Sequence, residues 1–172
     1  MANIALNKPS GGQLILSPED GTSTETVTIP SVGVGKVLQV VNHKFIDNTI
    51  TTSTSYIDVQ GSSITFTPRS SASDLIIVAE IHSNTYGPNS AQGLGFVIVH
   101  DGAVIDYHGG NYEHYGANQL VTRLTKTSSV SSSTVNPRTI KLQMASYNSG
   151  STAQINSGNQ FYSNIIVMEV AA

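Results

Sequence analysis

The stretch Leu75-Ile76-Ile77-Val78-Ala79-Glu80-Ile81-His82 decides the fold class. Its Ile and Val side chains branch at Cβ, which restricts their rotamers in a helix and suits a pleated strand. Read with a period of two, it is apolar on both sides except at Glu80, so neither face of that strand is expected to meet water freely. Gly93 to His100 repeats this two-sided pattern, as does Ile165-Ile166-Val167-Met168-Glu169-Val170. No window holds apolar residues at i, i+3, i+4 and i+7 over three turns, and no helix is predicted. An all-β protein with antiparallel strands, a sandwich or a barrel, follows.

Outward from that strand, Gly, Pro, Asn and Ser clusters divide the chain at strand-length intervals. Before it lie Val37 to Val41, Lys44-Phe45-Ile46, a Thr/Ser-rich connection, Tyr56 to Val59, and Ile64 with Phe66 after a turn at Gly61. After it, Asp101-Gly102 is a hairpin signal leading to Ala103-Val104-Ile105. Leu120 to Leu124, then Ile140, Leu142 and Met144, and then Ala153-Gln154-Ile155 complete the series.

Three strands apolar on both faces exceed what one two-layer sandwich uses, because its outer faces should alternate to polar. One sheet is therefore expected to pack a second time, against copies of the same chain in a closed cyclic assembly. Ile77, Phe96 and Val167 are the residues expected at that interface. Residues 36–172 make up this knob. Residues 1–35 read as a separate small unit: a strand at Gln13 to Leu16, a turn at Pro18-Glu19-Asp20-Gly21, and an alternating strand from Thr24 to Ile29. A lone hairpin is not stable in water. Leu14, Leu16, Val27 and Ile29 are accordingly expected to anchor or assemble this arm, either on its own domain or on other chains.

The chain has 172 residues, of which only 11% are charged, with a formal net charge of -3. Ser, Thr, Asn and Gly make the surface polar but weakly charged, which suits dense packing against other proteins because few charges need be desolvated. Eight basic residues spread thinly do not neutralise a run of phosphates, so nucleic acid is not an expected partner. Without cysteine there is neither a disulfide framework nor a thiolate nucleophile. Met1-Ala2-Asn3 opens no secretory leader, and the longest apolar runs are too short to span a bilayer, so membrane insertion is not expected.

The densest polar-aromatic segment contains Tyr107, His108, Asn111, Tyr112, His114 and Tyr115. Two readings stand. Tyr and Asn on a Gly-hinged loop supply rigid amphipathic contacts and adaptable hydrogen bonds, the chemistry of adhesive loops. Alternatively, the rings cap the end of the sandwich with their hydroxyls outward. His108 and His114 have no helical or strand spacing that would converge them on a metal, and no metal or other cofactor is expected. No Gly-x-Ser-x-Gly elbow or phosphate loop occurs, and no catalytic residue is assigned.

Gly11-Gly12-Gln13-Leu14-Ile15-Leu16-Ser17-Pro18-Glu19-Asp20-Gly21, running into Thr26-Val27-Thr28-Ile29-Pro30, resembles a short module common in tailed-bacteriophage fibres. Ser63 to Ile77, Leu142 to Ser146 with Ala153-Gln154-Ile155, and the closing Ile165 to Val170 are similar to a phage fibre-type jelly roll of tumour-necrosis-factor and complement-like topology. The order of these pieces carries the match. The resemblance implies a jelly roll, a homotrimer and a virion location. It also implies partners among other virion proteins of capsid or tail, with attachment to a host-surface glycan or decoration of the particle as the role.

Overall fold

The computed structural model describes residues 5–7, 13–16, 25–28, 36–87, 92–106, 111–113, 120–159 and 161–172. Among the described residues, the regular structure is almost entirely strand. β1 (Ala5–Asn7), β2 (Gln13–Leu16) and β3 (Glu25–Thr28) form one antiparallel sheet. Thus the N-terminal section contributes three strands where the sequence predicted two. The remaining strands are β4 (Val37–Phe45), β5 (Thr49–Thr51), β6 (Ile57–Asp58), β7 (Ile64–Phe66), β8 (Ser73–Tyr86), β9 (Gln92–His100), β10 (Ala103–Val104), β11 (Asn111–Glu113), β12 (Leu120–Ser131), β13 (Arg138–Ser146), β14 (Thr152–Ile155) and β15 (Ser163–Ala171). A single turn of 3-10 helix at Ser157–Asn159 precedes the last of these.

All pairings in the two larger sheets are antiparallel. In the first, β8 has β12 along one edge and β15 followed by β14 along the other. β4 and β5 then pair with β15 and β14 respectively. In the second sheet, β9 and β13 are central; β10 and β11 pair with β9, and β6 and β7 pair with β13. Counting collinear short strands as one, the two sheets have the strand orders first-eighth-third-sixth and second-seventh-fourth-fifth. This is the double Greek-key order of a jelly roll.

Alternation along each strand builds the interior. β8 turns Leu75, Ile77, Ala79 and Ile81 inward, all fully buried. They meet Phe96 and Ile98 of β9, Ile140, Leu142 and Met144 of β13, and Ile165 and Val167 of β15 in one core. Full burial of each large aliphatic side chain contributes roughly 1.5–3 kcal/mol. Asp101 and Gly102 turn β9 into β10 with φ of 48° and 82°, the positive pair that a two-residue hairpin requires.

Two polar side chains, one buried and one half-buried, tie the sandwich together. Glu169 is fully buried at the end of β15. Its carboxylate accepts hydrogen bonds from the backbone N–H of Arg69 and of Ser70 (2.9 Å each), from Ser73 Oγ at 2.7 Å and from Gln39 Nε2 at 2.7 Å. The loop backbone and these two side chains, rather than an arginine guanidinium, satisfy it; that of Arg69 donates to Leu38 O. Across the interior, Lys126 on β12 donates to Phe96 O at 2.6 Å, joining the two sheets.

Candidate interaction surface

The interface expected at Ile77, Phe96 and Val167 requires correction. Their exposures are 0%, 2% and 0% within a single chain, because all three point between the sheets. A strand apolar on both faces has one face owed to its own core, and these residues belong to that face. Val97 and Val99, on the opposite side of β9 from Phe96, are also buried. Two-sided burial is therefore real along β9.

The alternate residues of the first sheet define a different surface. Cross-strand register places them in rows: Val40, Met168, Ile76 and Ser129; then Asn42, Ile166, Val78 and Thr127; then Lys44, Asn164, Glu80 and Thr125. Ile76, Val78, Ile166 and Met168 are half-buried and Val40 is 56% exposed. The first two rows thus form an apolar band over the central strands, bordered along β12 by small hydroxyl side chains.

Beyond the band the face changes character. Arg123 pairs with Glu80 across β12 and β8. Lys44 Nζ lies 3.7 Å from the centroid of the Tyr162 ring, and the Arg123 guanidinium 5.6 Å from the same centroid. His82, cross-strand partner of Arg123, stacks on Phe161 with centroids 3.7 Å apart and planes 4° from parallel. Burial, and then the Arg123 charge, push the His82 imidazole below its ordinary pKa. Phe161 and Tyr162 keep 38% and 42% of their surface exposed. This aromatic–cationic cluster escaped the sequence reading because its members come from four separate strands and connections. The adjacent pair Phe161-Tyr162 just before a terminal strand was the one signal available.

Of the loop expected to bind, Tyr107, His108, His114 and Tyr115 lie outside the described residues. Asn111 and Tyr112 are in β11, paired with Leu94 and Gly93, so this part is a strand on the β9 edge. Leu14, Leu16 and Val27 fall in β2 and β3, while Ile29 lies outside the described residues. Among the described residues, no three His, Asp or Glu side chains converge as a metal site requires.

No protein-family model and no curated protein matches the chain. Solved structures of infectious bursal disease virus overlap it weakly. T=1 particles derived from that virus match at 13% identity and a TM-score of 0.39, over 94% of this chain and 46% of theirs. A VP2 subviral particle matches at 12% identity and a TM-score of 0.37, over 94% and 47%. The chain spans about half the length of these proteins.

Proposed function

We propose that this chain is a non-enzymatic structural protein of a bacteriophage virion, a homotrimeric fibre-like knob displayed for attachment to the host surface. It would assemble in the host cytoplasm and act outside the cell on the released particle. The observation that carries the assembly is the apolar band of Val40, Ile76, Val78, Ile166 and Met168 on the outer face of the first sheet. A chain with so few charged residues has little else to keep such a band from association. Packing the band around a closed symmetry axis removes it from water. The number three and the virion setting rest on the ordered resemblance to phage fibre pieces.

Light scattering on the eluted protein tests the assembly: the unmutated chain is expected at three times its mass of 18.1 kDa. The double variant Ile166→Asp, Ile76→Asp is expected at the monomer mass with its strand spectrum intact. A monomeric unmutated chain overturns the trimer, and a trimer indifferent to both substitutions removes the interface from this face. One observation favours capsid decoration instead: among the described strands, β1, β2 and β3 pair only with one another. That suits residues 1–35 acting as an anchor. Loss of capsid binding on deleting them, with the knob still trimeric, is the result this second reading expects.

A further inference from the structure

The second sheet carries a recess on its outer face that the assembly does not use. Leu94, Phe96 and Ile98 of β9 point inward, so Gly95 points outward, and its cross-strand partner on β13 is Ala145. Two of the smallest residues thus stand side by side where Val97 and Gln143 fill the adjacent row. The gap they leave is a pocket of about 170 Å³ whose rim includes Thr54, Tyr56, Ser146 and Tyr147. Tyr56 and Tyr147 are 36% and 48% exposed.

Hydrogen bonds hold both sides of the rim to the floor. Ser146 N–H donates to Ser53 O at 2.7 Å, fixing the connection that carries Tyr56. Tyr147 N–H donates to Gly93 O at 3.0 Å, and Ser146 Oγ lies 2.8 Å from Ser151 O, closing the turn that follows Tyr147. Among the described residues, the lining includes no charged side chain. In the neighbouring rows Asp58 is occupied by Lys141 Nζ at 2.7 Å and Gln143 Nε2 at 2.8 Å, so its charge is answered locally.

We propose that this pocket binds a single neutral sugar ring of a surface glycan. Its volume is below the roughly 300–1,000 Å³ of sites for drug-sized ligands, which leaves room for one ring. Tyrosine rings present a negative π face to the slightly positive C–H face of a pyranose. A described lining of Thr, Tyr, Ser, Gly, Ala and Leu, without charge, favours an uncharged ring over a uronate or sialate. A rim tied to the strands loses little freedom when a ring enters. The site lies on the sheet opposite the proposed assembly face and does not depend on that assembly.

Saturation-transfer NMR on the intact chain, with the methyl pyranosides of glucose, galactose, mannose and N-acetylglucosamine and with methyl glucuronide, tests the proposal. Transfer to the ring protons of at least one neutral glycoside is expected, with little to the glucuronide. Tyr147→Ala and the pocket-filling Ala145→Leu should each cut that transfer at least fivefold, while Tyr147→Phe retains most of it. The Ile166→Asp, Ile76→Asp variant should bind as the unmutated chain does, which separates this site from the assembly. Absence of transfer from every neutral glycoside overturns the proposal, as does transfer that survives both Tyr147→Ala and Ala145→Leu in folded protein. Stronger transfer to the glucuronide than to any neutral ring overturns the assigned ligand class.

Discussion

Glu169 shows how one residue inside an apolar strand becomes a structural tie. Burial raises the pKa of its carboxyl, but the hydrogen bonds from Ser73 Oγ, Arg69 N–H, Gln39 Nε2 and Ser70 N–H outweigh that, and the net shift is downward. Removing the charge converts an acceptor of several bonds into an amide whose NH₂ faces backbone N–H donors. Glu169→Gln is therefore expected to cost about 1.5–3 kcal/mol, the range for hydrogen bonds to a charged group, measured by urea unfolding. The pH dependence has a definite sign. Because the folded carboxyl titrates below its ordinary value near 4.5, its stabilisation is complete above that value and is lost as pH falls through the folded one. Sequence reading could find Glu169 by its isolation among Ile, Val and Met. It could not find the partners, since backbone N–H groups from a loop about a hundred residues away leave no mark in composition.

At the scale of elements, the strands that decide the fold were also the most legible. Leu75 to His82 and Ile165 to Val170 have enough aliphatic residues to identify a strand on either face. Their ends extend beyond the apolar run because β8 (Ser73–Tyr86) continues through His82, Ser83, Asn84 and Thr85 on its backbone pairing with β12 and β14, with Ser83 Oγ and Asn84 Nδ2 donating to Thr122 O and Gln154 Oε1. β12 was half legible: Lys126-Thr127-Ser128-Ser129 looks like a connection, yet it runs along the full edge of β8 with its outer side chains exposed. β5 and β11 were read as loops because three residues give no period. Facing direction was the harder matter, since a strand apolar on both sides does not say which side is the core. Ile77→Ala settles this for β8. It should cost about 2–5 kcal/mol in chemical unfolding, as a large-to-small change in a filled interior does. An outer-face Ile76→Ala should cost much less in the isolated knob. Equal losses would mean that both faces are equally packed within one chain.

For the whole molecule, the jelly roll keeps its distinctive features apart. The apolar band and the aromatic–cationic cluster occupy one sheet, the small-residue recess lies on the other, and the interior is closed by polar ties such as Glu169. Acid bears on this arrangement through two histidines in different sheets. His82 is 6% exposed and His100 4% exposed. Burial lowers the pKa of both. The Arg123 charge adds to this at His82, whereas at His100 Asp101 opposes it and Arg138 reinforces it. Each is therefore held neutral in the fold below the pH at which the unfolded chain takes up its proton, near 6.5. The unfolded state then binds more protons, and stability falls as pH drops below that value. The melting temperature, followed by circular dichroism, is expected to be level from pH 8 to 7 and to decline from pH 6.5 to 5.5. His82→Phe, which keeps a ring against Phe161 but takes up no proton, should make that decline shallower. A melting temperature that rises on acidification to pH 5.5 would show that protonating these histidines stabilises the folded chain, contrary to the burial that the sandwich imposes on them.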